Sequence, residues 1–254
     1  MATMIREMYD VLGCFSTATH KSMCADLLRQ LQRGTGDRSL AKLFADALAE
    51  NANFNQVDCP FIPEGRGNNL GRNPVTEALS NAPWQSFDTS AGRPYSFMYL
   101  QREVPHLRSS TRAEQKDTAW IDYVARTEER PILGEVKWVA DENPFYAFVQ
   151  LLVYLSEIAT PSQVERSLKH GLFGKEITSI SAFDLHIVLG NFNDRGEKGD
   201  LIESTQCLAA AFKERLNRAY PEVGKVLGKV LCLSGQIEDC RHEFAAIKCN
   251  WIVG

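Results

Sequence analysis

The first third of the chain has the hydrophobic spacing of amphipathic helices. Residues 20–33 and 40–48 each carry apolar side chains three and four positions apart. Ser39 precedes the second segment and is of the residue type that caps a helix N-terminus. Residues 51–71 are rich in Asn, Pro and Gly, which favours a loop. We therefore predict two N-terminal helices, a loop, and a short third helix over residues 75–81.

From residue 95 onward, strand-like and helix-like segments alternate. The predicted strands cover residues 95–104, 118–125, 132–139, 183–189, 226–233 and 243–253. The predicted helices cover residues 144–160, 162–170 and 200–218, the first of them opened by Asn143 as cap and Pro144 as first residue. This alternation indicates an α/β protein whose sheet is flanked by helices.

Composition indicates a soluble, intracellular and cytoplasmic protein. Of the 254 residues, 44% are hydrophobic and 24% charged, as in globular domains. No apolar run reaches the roughly 18 residues that a membrane span needs, so we expect no membrane partner. The seven cysteines are scattered and form no metal-binding pair, which favours reduced and mostly buried thiols.

The net charge of −4 does not point to nucleic acid, but it does not exclude an enzyme that binds it in a local groove. Residues 93–116 are locally basic. They fit an ordinary solvated face as well as a surface that contacts phosphate groups.

Two carboxylates and an ammonium group are predicted to meet on neighbouring strands. Glu135 and Lys137 lie two residues apart, so they share one face of a strand. Asp122 lies in the preceding strand, and a short turn brings it near Glu135. Charges in such apolar strands are costly unless a partner compensates them. Carboxylate oxygens suit Mg²⁺ or Mn²⁺, with the backbone carbonyl of Val136 as a further ligand.

The same residues have a purely structural interpretation. A cross-strand salt bridge without a catalytic role would also place Asp122 near Glu135 and Lys137. A second Glu-x-Lys triplet, at Glu114 and Lys116, shows how weak this spacing is alone. That triplet lies in a polar run and precedes Asp122 instead of following it.

Ile121-Asp122 followed by Gly134-Glu135-Val136-Lys137 resembles the PD-(D/E)xK, or restriction-endonuclease-like, nuclease superfamily. Gln150 and Tyr154, four residues apart on the next helix, are similar to the QxxxY element of its RecB-type exonuclease branch. The resemblance implies a central mixed sheet of four to five strands with helices on both faces. We therefore divide the chain into a region of extra N-terminal helices over residues 1–72 and a nuclease core over residues 73–254.

The superfamily implies a further metal-binding glutamate on a helix before the first strand. Glu77, in the predicted helix over residues 75–81, is the first choice, and Glu50 is the second. Either fits an ordinary surface glutamate as well.

The sequence thus predicts a Mg²⁺- or Mn²⁺-dependent enzyme that hydrolyses DNA phosphodiester bonds, with catalytic residues Asp122, Glu135, Lys137, Gln150 and Tyr154. The metal is predicted to bind Asp122, Glu135, Val136 and Glu77. RNA is not excluded as a substrate, and a homodimer is possible. The resemblance implies defence, restriction, repair or recombination. The main alternative is a catalytically inactive binding or regulatory protein of the same fold.

Overall fold

The computed structural model describes residues 3–33, 39–53, 74–81, 84–89, 94–105, 120–138, 143–191, 197–238 and 243–254. The helices are α1 (Met4–Leu12), α2 (Thr17–Arg33), α3 (Leu40–Ala52), α4 (Pro74–Asn81), α5 (Pro144–Ile158), α6 (Pro161–Lys169), α7 (Glu197–Ala219) and α8 (Pro221–Gly224). The strands are β1 (Trp84–Phe87), β2 (Tyr95–Pro105), β3 (Trp120–Arg126), β4 (Pro131–Trp138), β5 (Phe183–Gly190), β6 (Leu227–Glu238) and β7 (Glu243–Val253).

The strands form one seven-stranded mixed sheet in sequence order. Strands β1 to β4 pair antiparallel, β4 to β6 pair parallel, and β7 runs antiparallel to β6. Helices α5 and α6 make the crossover from β4 to β5, and α7 makes the next one. Strand β1 also contacts β7, so the sheet is nearly closed into a barrel.

This architecture corrects the expected fold. The prediction of an α/β protein with a mixed sheet is confirmed, but the four- to five-stranded restriction-endonuclease-like sheet is wrong. The sheet has seven strands and curls until its two edge strands approach each other. Strand β1 was missed because four residues are too few to show a period, and β6 and β7 extend the same sheet beyond β5.

Curling gives the sheet an outer and an inner face, each with its own apolar cluster. On the outer face, Leu133 and Leu185 pack with residues of α1, α2, α3, α5 and α7. On the inner face, Ile132, Val136 and Val188 pack with the apolar side of α4. The period-two alternation of the strands sends neighbouring residues to opposite faces. The N-terminal helices therefore share one core with the sheet.

Both predicted helix caps are confirmed. The side chain of Ser39 accepts a hydrogen bond from the backbone N–H of Lys42, and that of Asn143 accepts one from Tyr146. Helix α1 was not predicted, although it packs against α5. Among the described helices, none combines the length and apolar character needed to cross a membrane.

A buried polar network fills part of the inner face. The hydroxyl of Tyr95 donates to Asp184 Oδ2 at 3.1 Å and lies 2.9 Å from His186 Nε2. The hydroxyl of Tyr123 lies 3.2 Å from His186 Nδ1. A neutral imidazole protonated on Nε2 satisfies all three contacts. Burial lowers the pKa of His186 to about 3, because the charged ring would lose its hydration.

This depressed pKa predicts a specific loss of stability in acid. The unfolded chain takes up a proton on this histidine below about pH 6.5, whereas the native imidazole resists protonation down to about pH 3. The contribution to stability is therefore present above pH 6.5 and falls as the pH drops, by up to about 1.4 kcal/mol per unit. Urea unfolding of the unaltered chain and of His186→Asn, measured from pH 7 to pH 4, should show a shallower acid loss in the variant. Equal slopes would contradict the prediction, whatever the variant costs at pH 7.

Candidate active site

The structure brings Asp122, Glu135 and Lys137 together on the outer face. The pairing of β3 with β4 ends at Tyr123 and Gly134, and Asp122 and Glu135 are the next residues beyond that pair on their strands. Asp122 Oδ2 accepts a hydrogen bond from the backbone N–H of Val136 at 2.8 Å. Lys137 Nζ donates to Glu135 Oε1 at 3.0 Å. The predicted meeting of the three side chains is thus observed, while their catalytic role stays a prediction.

Helix α5 adds Gln150 and Tyr154 to this cluster. Gln150 Oε1 accepts a hydrogen bond from Lys137 Nζ at 3.2 Å, and Gln150 Nε2 donates to the hydroxyl of Tyr154. Their spacing of four residues puts both side chains on the face of α5 that covers β4. The amide therefore links the lysine of the sheet to the tyrosine of the helix.

Two tyrosines that the sequence analysis did not single out complete the wall of the site. The Tyr146 ring lies 4.8 Å from Lys137 Nζ, within cation–π range. Tyr9 of α1 stacks on Tyr146 with ring centroids 5.0 Å apart. Tyr146, Gln150 and Tyr154 recur every four residues along α5, and this spacing could have been recognised in the sequence. Tyr9 had no such signal, because α1 itself was not predicted.

The cluster is deeply buried, and its surroundings disfavour the charged form of Glu135. Glu135 is 2% exposed, Lys137 5% and Gln150 7%, whereas Asp122 is partly open to solvent. Burial raises the pKa of Glu135 well above its ordinary value, and the charge of Asp122 raises it further. Lys137 offsets only part of this effect. Glu135 Oε2 is buried and has no hydrogen-bond donor in the described part of the chain.

The carboxylate oxygens of the cluster are suitable ligands for a hard divalent cation. Mg²⁺ is commonly bound by one or two carboxylates and completes its shell with water and substrate phosphate. Asp122 and Glu135 supply two carboxylates, and the orphaned Oε2 atom is an acceptor that a cation would satisfy. No group of three His, Cys, Asp or Glu side chains suited to a metal occurs among the described residues. The carbonyl of Val136 stays a predicted ligand, next to a backbone N–H that already holds Asp122.

The two candidate helix glutamates are not brought to the cluster. Glu77 lies on α4, whose Val75, Ala78 and Leu79 pack into the inner apolar cluster. Glu135 and Lys137 occupy the opposite, outer face of the same sheet. The role of Glu77 as a metal ligand stays a prediction that this arrangement does not support, because α4 buries its apolar side against the inner face of the curled sheet. Glu50 is exposed near the end of α3.

Other sequence features lie outside the described residues. The second Glu-x-Lys triplet, at Glu114 and Lys116, belongs to residues 106–119, and so does much of the locally basic segment. Five of the seven cysteines are described and carry free thiols; Cys24 and Cys232 are buried, whereas Cys14 and Cys207 are exposed. The expectation of mostly buried thiols is therefore met only in part.

Comparison of the chain with protein-family models, with curated proteins and with solved structures gives no match. The functional argument therefore depends on the geometry and chemistry of the cluster itself.

The raised pKa of Glu135 predicts that neutralising this side chain stabilises the fold. The unfolded chain releases this proton near pH 4.5, whereas the buried carboxyl holds it to higher pH. Ionisation above pH 4.5 therefore costs stability. Glu135→Gln removes that cost and keeps an acceptor for Lys137, so we expect the free energy of unfolding at pH 8 to rise by roughly 0.5–2 kcal/mol. Urea denaturation in metal-free buffer measures it.

Glu128→Gln, in the exposed turn before β4, is the matched control and should leave the unfolding free energy within about 0.5 kcal/mol. A destabilised Glu135→Gln variant would show that the ionised carboxylate is a net structural asset, contrary to this prediction.

Proposed function

We propose that this protein is a metal-dependent nuclease that hydrolyses DNA phosphodiester bonds, using Mg²⁺ or Mn²⁺ at Asp122 and Glu135. One observation carries the proposal: two acidic side chains and a lysine converge in a buried cluster where one carboxylate oxygen has no donor. An unsatisfied buried acceptor costs free energy, and a bound cation would offset that cost at Glu135. A ligand that supplies positive charge accounts for it.

The division of work among the residues follows from their contacts. A cation bound by the two carboxylates would supply Lewis-acid polarisation of the phosphoryl group and acidify water. The ammonium group of Lys137 donates to the carboxylate of Glu135. From that position it can orient the attacking water and stabilise negative charge that develops on the phosphate. Gln150 holds Lys137 in place, and Tyr154 in turn orients the Gln150 amide.

Substrate access is best from the side of Asp122. That carboxylate is partly open, whereas the stacked rings of Tyr9 and Tyr146 cover the cluster beside Lys137. Helix α1, which carries Tyr9, is thus a wall of the proposed substrate path. An extended phosphodiester reaching Glu135 would pass along Asp122 first.

A non-catalytic binding or regulatory protein is the second candidate. The ammonium of Lys137 is already held by Glu135 and Gln150, and such a closed cluster also suits an ion pair that joins the sheet to α5. The two candidates differ in whether the unaltered protein cuts nucleic acid and binds divalent metal.

Metal binding is testable without an activity. Millimolar Mn²⁺ should raise the melting temperature of the unaltered chain, since a ligand at 100 times its Kd adds about 2.7 kcal/mol to the native state. Asp122→Asn should lose most of this shift, and Asp46→Asn, on the exposed side of α3, should retain it. An equal shift in the two variants would place the metal elsewhere.

Cleavage is the decisive measurement. With Mn²⁺ or Mg²⁺ present, single-stranded DNA, duplex DNA and RNA are each incubated with the unaltered protein and with Asp122→Asn and Lys137→Met. We expect DNA cleavage that falls by roughly 10²-fold or more in both variants, because each removes a group that acts on the developing charge. Lys225→Met, at an exposed lysine paired with Glu222, is the matched control and should cleave normally.

No cleavage of any substrate by the unaltered protein would favour the binding protein. Cleavage of RNA alone would move the substrate class from DNA to RNA while leaving the cluster as the centre.

A further inference from the structure

A second site lies at the other end of the sheet. A pocket of about 510 Å³ opens beside the turn between β3 and β4 and is lined by that turn together with Trp84, Tyr95, Asp184 and Lys229. Its volume is in the range of small-molecule sites. Asp184 pairs with Ile132 at the start of β4, whereas Glu135 and Lys137 lie further along that strand and on its other face. The pocket shares no residue with the candidate nuclease centre.

The floor of the pocket is a fixed carboxylate. Asp184 is 1% exposed, and its oxygens accept hydrogen bonds from the hydroxyl of Tyr95 at 3.1 Å and from the backbone N–H of Lys229 at 2.7 Å. The guanidinium of Arg130 lies 3.4 Å from Asp184 Oδ1. A Cβ on Gly228 would come within 2.1 Å of that oxygen, so glycine is needed for the strand to pass so close. Asp184 is thus fully engaged by the protein.

Cations outnumber this carboxylate around the floor. Lys229 Nζ lies 5.3 Å from the centre of the Tyr95 ring and has no carboxylate in ion-pair range among the described residues. Lys213 donates to the carbonyl of Gly228. Burial lowers the pKa of Lys213, and the positive charges of Arg130 and Lys229 add to this effect against the opposing pull of Asp184. Lys213 lies outside the lining of the pocket, so Arg130 and Lys229 are the two cations that stand beside the single carboxylate of the floor.

The rim differs from the floor. Glu128 and Glu129 are exposed in the turn, where water and salt screen their charge. Trp84 is 53% exposed, an unusual position for so large an apolar ring, and the guanidinium of Arg126 lies 5.9 Å from its centre. An indole at the mouth of the pocket offers a surface on which a flat ring can stack.

We propose that this pocket binds a small phosphate-bearing ligand with a planar ring, of the mononucleotide type. Lys229 and Arg130 take the phosphate, for which ammonium and guanidinium groups are the usual protein partners. Trp84 stacks on the ring. Asp184 does not contact the phosphate; it holds Arg130 and the Lys229 backbone in place. This binding function is separate from the proposed nuclease and does not depend on it.

Calorimetric titration in metal-free buffer tests the proposal, with adenosine 5′-monophosphate, ribose 5-phosphate and adenosine as probes. The unaltered protein should bind the monophosphate most tightly. Lys229→Gln should weaken that binding at least tenfold. Lys225→Gln is the matched control, because Lys225 is an exposed lysine paired with Glu222 outside the pocket, and it should bind normally. Trp84→Ala should weaken the monophosphate but leave ribose 5-phosphate unchanged.

Absence of monophosphate binding at millimolar concentration would overturn the proposal, as would equal affinities of Lys229→Gln and Lys225→Gln. Equal binding of ribose 5-phosphate and the monophosphate would show that the planar ring does not contribute to binding, and would overturn that part of the proposal. Asp122→Asn should bind the monophosphate like the unaltered protein, because the two sites share no residue. A loss in that variant would contradict two separate sites, and no arm of the titration requires cleavage or metal.

Discussion

The burial of Glu135 and Lys137 under α5 is the constraint that shapes the rest of the outer face. Two charged groups in an apolar layer lose hydration, and their attraction repays this only with good geometry and further hydrogen bonds. The structure gives Lys137 two acceptors, Glu135 and Gln150, but gives Glu135 only one donor for its two oxygens. The imbalance is on the acidic side. This imbalance is the observation that supports the proposal of a bound cation over an ion pair that only joins the strand to the helix.

Helix α5 makes this burial possible. The apolar residues of α5 favour burial of the helix but do not determine its rotation. The polar side chains of Tyr146, Gln150 and Tyr154 determine which side of the helix faces β4. The cap at Asn143 fixes where the helix begins. The first residue of α5 and the rotation of the helix together place Gln150 Oε1 3.2 Å from Lys137 Nζ.

Local features of the sequence predicted most elements, whereas the closure of the sheet could not be predicted. Short-range patterns predicted the helix caps at Ser39 and Asn143. The triplet at Glu135 was likewise recognised from its local spacing. The missed features depend on contacts between distant segments. Strand β1 exists because it pairs with β2 and meets β7, and Glu77 lies away from the acidic cluster because α4 packs its apolar side against the inner face. No spacing along the chain encodes which face of a curled sheet a helix will cover.

The acidic cluster on the outer face and the His186 network on the inner face both depend on the register of β4 with its neighbouring strands. Gly134 pairs with Tyr123 on one side and with His186 on the other, and a Cβ at Gly134 would come within 2.1 Å of the Tyr123 ring. Because side chains alternate, a slip of one residue would turn Glu135 and Lys137 inward and carry apolar neighbours outward. The tight contact at Gly134 opposes that slip, since the ring of Tyr123 fits only where no side chain stands. One glycine thus keeps the acidic cluster on the outer face and the neutral His186 network on the inner face, which allows a single sheet to hold both.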